Sequence, residues 1–284
     1  MSAQAAAHGA APALPRLSAA RCEALREIGI VDERGERRPI RIPCERPLTL
    51  YVDKRELVTL MTLGSLPELL VLGYLLNQRL VDEVSQVESV SVDWEVGAAA
   101  VRTHGGLPDL AARTAHRVVT TGCGQGTVYG DLMQRIESLR LPDAAAARIA
   151  QRTLQRVLQT VRERDSVHRQ AGSVHGCALF QGERLCVFVE DVGRHNAIDT
   201  ISGWMAMHGV AGADKLLYST GRLTSEMVMK AAQIGVPIVV SRNGVTAMGY
   251  DMASRLGMAL FGRAANRRFL CYCGIERFDA EPPG

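Results

Sequence analysis

The chain has 284 residues, of which 47% are hydrophobic and only 5% aromatic, so aliphatic side chains must fill one large core or two modest ones. A net charge of +3, scattered along the sequence, argues against a nucleic-acid surface, although the basic charge is almost all arginine, whose planar fork suits phosphate. Seven cysteines at irregular spacing form neither a disulfide framework nor a zinc-finger pattern; they point to a reducing, cytoplasmic compartment and to no structural metal.

Residues 1–20 are Ala-rich and lack the basic and apolar regions of a signal peptide, which predicts a disordered tail. Polar–apolar alternation predicts a strand over 46–58. The stretch 57–76 is apolar enough to suggest a membrane span, but Pro67 and Glu68 interrupt it, and a buried strand followed by a core helix over 66–80 is the better expectation. Period-two alternation predicts a strand over 86–94. A β-branched run over 117–121 stops at the glycine loop Gly122-Cys123-Gly124-Gln125-Gly126.

The spacing of Leu154, Val157, Leu158 and Val161 predicts a helix over 142–164, begun by Pro142 and Asp143 and with an Arg- and Gln-rich outer face. This helix is a natural divider. Beyond it come a hairpin (178–180 and 185–190), a helix (196–207), a strand (215–219), a helix (224–234), a strand (237–241), a helix (246–256) and two strands (258–261 and 268–272). The fold class is therefore α/β: a mixed sheet with packed helices over 142–284, preceded by a smaller β-rich subdomain over 21–141 that carries the Cys123 loop.

Ligands of open α/β sheets bind beyond the carboxyl ends of strands, near helix N-termini. Three junctions fit: 190–196, 219–222 leading to Glu226, and 241–246. Each offers small residues, backbone N–H groups and an arginine, so together they could hold phosphates. Cys123 is the one cysteine set in a glycine loop after a strand, where a thiolate would be accessible as nucleophile or sulfur carrier. Cys177 and Cys186 read as core residues. Cys271 and Cys273 would share one face of a strand as packing residues, and His175 and His195 read as structural hydrogen-bonders.

The run Glu190-Asp191-Val192-Gly193-Arg194-His195-Asn196-Ala197-Ile198-Asp199 resembles the signature of the formate dehydrogenase accessory sulfurtransferase (FdhD) family. His175 with Ala178-Leu179, Thr220-Gly221-Arg222 with Ser225-Glu226-Met227-Val228 and Lys230-Ala231, Gly235-Val236-Pro237, and the region of Phe261-Gly262-Arg263 resemble further family segments. The likeness is strong over 172–272, thinner over 48–126 and absent from the tail. It implies a cytidine-deaminase-like fold and a homodimer. It also implies a carrier that receives persulfide sulfur from a cysteine desulfurase and passes it to the molybdenum of the bis(molybdopterin guanine dinucleotide) cofactor, bound as substrate, for the catalytic subunit of a formate dehydrogenase. The residues so implied are Cys123 as the catalytic thiol. For the cofactor they are Arg194, His195, Asn196, Thr220, Gly221, Arg222, Glu226 and the segment Phe261, Gly262, Arg263, Ala264, Ala265, Asn266.

The chain departs from the family pattern in three places. Gly126 stands where the loop usually has a second cysteine, Thr200 where a lysine is usual, and Leu60-Met61-Thr62-Leu63 where Cys-Thr-Pro is frequent. A single thiol still suffices for a persulfide. The missing cysteine leaves open a carrier that binds and delivers the cofactor without sulfur chemistry. A zinc hydrolase would need H-x-E or C-x-E and P-C-x-x-C, and none of these occurs.

Overall fold

The structure, a computed structural model, describes residues 13–107 and 139–281. The strand and glycine loop expected over 117–126, Cys123 included, lie outside the described residues. Strand β1 (Arg16–Leu17) pairs in parallel with a later strand, so the end of the expected tail is ordered. Its anchor is Glu68, whose buried carboxylate accepts hydrogen bonds from the Ser18 hydroxyl (2.6 Å) and the Ala20 N–H (2.8 Å). Strands β2 (Leu25–Val31) and β3 (Arg37–Pro43) form a separate hairpin that the sequence reading did not anticipate.

The strand expected over 46–58 is a hairpin, β4 (Arg46–Val52) and β5 (Arg55–Thr62), because Asp53 and Lys54 both take positive φ and reverse the chain. Helix α1 (Pro67–Asn77) starts at its proline, where a missing N–H costs nothing. Strands β6 (Val87–Asp93) and β7 (Ala98–Thr103) complete a five-stranded sheet of order β1-β6-β7-β4-β5. Leu48, Leu50, Val52, Val90, Val101 and the α1 residues Leu72 and Leu75 form its core.

The helix expected from 142 begins only at Gln151. Residues 144–146 make a 3₁₀ turn, β8 (Ile149–Ala150) follows, and then α2 (Gln151–Glu163). The cause is Arg277. Its buried guanidinium donates to the carbonyls of Pro142, Asp143, Ala147 and Gly257, which takes acceptors a helix over 142–150 would use. After a short helix α3 (Val167–Ala171) come β9 (His175–Gln181), β10 (Arg184–Asp191), α4 (Arg194–Met207), β11 (Lys215–Ser219) and α5 (Ser225–Gln233). The chain continues through β12 (Ile238–Ser241), α6 (Ala247–Arg255), β13 (Ala259–Ala265), β14 (Arg268–Cys273) and β15 (Phe278–Asp279), which pairs with β8.

Six strands form one sheet of order β10-β9-β11-β12-β13-β14, with β11, β12 and β13 parallel. Alternation along each strand divides its residues between two cores. Leu217, Val239 and Leu260 meet α4, α5 and α6, while Leu216, Tyr218, Val240 and Phe261 meet α2. The architecture is a mixed α/β fold with several sheets and, among the described residues, six α-helices.

Helices α1 and α4 join the two sheets. A Cβ on Gly73 would lie 1.6 Å from the Asp199 carbonyl oxygen, and one on Gly203 would lie 2.0 Å from that of Leu69, so the crossing requires both glycines. Beside it, Asp199 is fully buried and accepts hydrogen bonds from Lys230 (2.7 and 2.8 Å) and from the Asn77 amide (2.6 Å), which Ser202 also contacts. Burial raises the Asp199 pKa and Lys230 opposes it. Pairing of this kind keeps a buried charge tolerable.

Candidate functional site

Strands β10, β11, β12 and β13 end at the same edge of the six-stranded sheet, and the first three feed the N-termini of α4, α5 and α6. The three expected junctions are thus neighbours. The second and third are stitched to each other and to β13: Ser241 Oγ donates to the Gly221 carbonyl (2.6 Å), Asn243 Nδ2 to the Thr220 carbonyl (2.6 Å), and the Arg263 N–H to the Asn243 carbonyl (2.8 Å). Ser219 Oγ accepts the Gly221 N–H at 3.1 Å.

Within the signature run, several side chains hold the backbone in place. Glu190 accepts the N–H groups of Val167 (2.7 Å) and His168 (2.8 Å) and so caps α3. Asp191 accepts from the Thr62 hydroxyl, the Leu63 N–H (3.1 Å), the Gly193 N–H (3.0 Å) and Asn196 Nδ2 (2.8 Å). Asn196 Nδ2 also donates to the Met61 carbonyl (2.7 Å). Asp191 and Asn196 therefore clamp the end of β5 to the start of α4, and Met61-Thr62-Leu63 owes its position to them. Burial pushes the Asp191 carboxyl pKa up, and its four donors oppose that shift.

Arg194 and His195 face a different environment. Arg194 is buried, and its Nε has no hydrogen-bond acceptor among the described residues. Its side chain passes over Gly221, where a Cβ would meet Arg194 Cδ at 2.7 Å and His175 Nδ1 at 3.4 Å. His195 Nε2 lies 3.2 Å from the Glu226 carboxylate. His175 contacts the Thr220 hydroxyl (3.5 Å), and its pKa is lowered first by burial and then by the charges of Arg194, His168 and Arg222. This corner is rich in positive charge and suits an anion.

On the α2 side of the same edge lies an open cleft of about 380 Å³. It is lined by Phe188, Tyr218, Thr220, Glu190, Arg242 and His168, with Ala264, Ala265 and Asn266 at the end of β13, Arg162 from α2, Arg169 from α3 and Ser166 at the cap of α3. Tyr218 is buried and its phenol pKa is pushed up to about 12, while Arg242 pulls the other way. An apolar wall, hydrogen-bonding groups and arginines at one mouth are what a nucleotide needs.

The predicted site residues therefore fall into two adjacent groups. Thr220, Ala264, Ala265 and Asn266 line the cleft. Arg194, His195, Asn196, Gly221 and Glu226 sit beside it at the starts of α4 and α5, and Arg222 is exposed between them. Phe261 lies fully in the core, edge-on to Phe269 and Phe278, and Gly262 packs its backbone against Tyr272. Arg263 takes positive φ at a bulge and points outward. Phe188 and Tyr218 were missed. For Tyr218 the signal was available, since alternation from Leu217 places it on the α2 face at the carboxyl end of β11.

Cys177 is the core residue expected, whereas Cys186 and the faces of Cys271 and Cys273 differ from expectation. Cys177 is fully buried beside Ser219, and burial pushes its thiol pKa to about 12. Cys186 is only half-buried. Cys271 and Cys273 do not share a face: a bulge pairs them with the consecutive residues Phe261 and Leu260, so Cys271 packs in the α2-side core and Cys273 in the opposite one. Burial raises the pKa of both thiols, that of Cys271 to about 11. No described helix is long and apolar enough to cross a membrane.

The chain is 30% identical over 251 residues to the sulfur carrier protein FdhD of Halalkalibacterium halodurans, covering 88% of this chain and 93% of that protein. To the sulfur carrier protein FdhD of Bacillus subtilis it is 29% identical over 238 residues, covering 84% and 90%. The crystal structure of a candidate formate dehydrogenase accessory protein from Desulfotalea psychrophila superposes with a TM-score of 0.71 at 24% identity, covering 89% of this chain and 98% of that one, which shows a shared fold. The sequence model of the FdhD/NarQ family matches residues 43–279, which run from β4 through β15 and include the cleft between α2 and the carboxyl edge, and the chain belongs to that family.

Proposed function

We propose that the protein is a sulfurtransferase of the sulfur-carrier type. Cys123 accepts sulfur from the persulfide of a cysteine desulfurase and delivers it to a molybdenum bis(molybdopterin guanine dinucleotide) cofactor, for use by a formate dehydrogenase catalytic subunit. The observation that carries this reading is the cleft at the carboxyl edge in a chain whose relatives are named sulfur carriers. Its aromatic wall suits a base and its arginines suit phosphates, so the cofactor would be held as substrate through its nucleotide part. Arg194, beside Gly221 and with a buried Nε lacking an acceptor among the described residues, would add an anion partner at the neighbouring junction.

The transfer needs a thiolate, an incoming sulfur and a leaving group. The Cys123 thiolate attacks the outer sulfur of the donor persulfide, the new S–S bond forms on Cys123, and the donor cysteine leaves as thiolate. Cys177 and Cys271 are poor candidates for this role, because burial holds both as thiols at neutral pH. A homodimer in the cytoplasm, a division of the chain near residue 142, and a deaminase-like lineage for residues 142–284 belong to the same reading.

Gly126, in place of a second loop cysteine, favours one alternative, a carrier that binds and delivers the cofactor without sulfur chemistry. Cys123→Ser separates the two. Under sulfur transfer, the variant keeps its nucleotide affinity and fails to support formate dehydrogenase activity in a cell lacking its own carrier. Full activity with this variant would overturn the sulfur-transfer reading in favour of delivery alone.

A further inference from the structure

The cleft does not end at Asn266. Arg162 and Asn266 also line a second open groove of about 380 Å³, between the outer flank of α2 and the β13–β14 turn. Arg152, Arg156 and Arg267 form its cationic walls; the Glu163 carboxylate meets only its cleft end, where it accepts from Gln159 (2.9 Å) and lies 3.6 Å from Arg162. Helix periodicity explains the arrangement. Leu154, Val157 and Leu158 are buried, and Arg152, Arg156 and Arg162 occupy the exposed flank over about 15 Å, ten residues at roughly 1.5 Å each. The groove meets the cleft where Arg162 Nη1 donates to Asn266 Oδ1 at 3.2 Å.

Like charges gathered along one groove repel one another and are stabilised by an anion lying between them. Every lining residue is an arginine, glutamine or asparagine, with only their methylene stems as apolar surface and no aromatic or aliphatic side chain to seat a base or to anchor a peptide. Guanidinium forks match phosphate oxygens in pairs. Resting on the reading of the adjoining cleft as a nucleotide pocket, we infer that this groove is a second phosphate subsite. The ligand then carries a chain of two or more phosphates that leaves the cleft past Arg162 and Asn266 and lies against Arg152, Arg156 and Arg267. A nucleoside monophosphate fills the cleft alone, and only a longer phosphate chain reaches the groove.

The test is calorimetric titration of the full chain at low salt with GMP, GDP, GTP and inorganic tripolyphosphate, for wild type and for the triple variant Arg152→Ala, Arg156→Ala, Arg267→Ala. All three side chains are exposed, so the fold tolerates their loss, and circular dichroism checks this. Wild type should bind GTP about tenfold more tightly than GMP, as one added charge-assisted contact implies. The variant should lose that gain, and should lose tripolyphosphate by a similar factor, while binding GMP as wild type does. Equal affinity of wild type for GMP and GTP, or a variant that keeps the gain, overturns the subsite while leaving the nucleotide pocket standing. Failure of GMP to bind wild type sinks the pocket reading, and the linked phosphate chain with it. A glutamate-rich peptide that binds wild type more tightly than tripolyphosphate does overturns the proposal in favour of an acidic protein partner.

Discussion

Asp191 is the point at which the signature run is tied to the first sheet, and its replacement has a cost that can be worked from its contacts. Its two carboxylate oxygens accept four donors: Thr62 hydroxyl, Leu63 N–H, Gly193 N–H and Asn196 Nδ2. In Asp191→Ala, Asn196 keeps the Met61 carbonyl, which leaves three donors orphaned. At roughly 1–3 kcal/mol for each unsatisfied buried group, less the relief of an unfavourably buried carboxylate, the loss is about 3–6 kcal/mol. In Asp191→Asn, the amide oxygen can serve Gly193 and Asn196 while its NH₂ donates to the Thr62 oxygen. The Leu63 N–H and the Thr62 hydroxyl proton then lose their acceptor, one donor fewer than in the alanine variant, at a cost of roughly 1–3 kcal/mol each. Urea denaturation followed by circular dichroism gives both values. An alanine variant within about 1 kcal/mol of wild type, or an asparagine variant less stable than the alanine one, would refute the clamp.

Gly73→Ala should destabilise the protein by about 3 kcal/mol, despite a better helix propensity, because its Cβ would collide with the Asp199 carbonyl and force α1 from α4; thermal unfolding measures this. His175 has a lowered pKa in the folded state, so between its ordinary pKa near 6.5 and that lower value the unfolded chain binds more protons, and stability falls as pH falls through this window. His175→Gln should flatten that acid limb when the unfolding midpoint is followed from pH 7.5 downward. Native alkylation at pH 8 should leave Cys177 unmodified, since it is fully buried with its thiol pushed up to about 12, and labelling should appear only on unfolding.

Much of the second half was legible because its strands and helices alternate with clean apolar periods, and the edge that gathers the junctions follows from that order. The start of α2 was not legible. Pro142 and Asp143 are good helix openers, but Arg277, more than a hundred residues away, claims the carbonyls that the opener would have needed. The β4–β5 turn was missed because Asp53-Lys54 lacks glycine yet reverses the chain in the left-handed region. At the site, residue type showed which positions carry polar groups but not where those groups point. Glu190 spends its hydrogen bonds on backbone N–H groups, Asn196 on the Met61 carbonyl and Asp191, and Phe261 fills the core. The arginine flank of α2 looked like a solvated face, and only the β13–β14 turn makes it a groove.

The central claim is that sulfur is carried on Cys123. It is tested most directly by incubating the purified protein with an active cysteine desulfurase and L-cysteine, then measuring intact and peptide masses. The account predicts a gain of one sulfur atom on the peptide containing Cys123, removed by reductant and absent from Cys123→Ser. An unmodified protein beside a desulfurase shown to be active, or a sulfur found instead on the peptide holding Cys271 and Cys273, would contradict it.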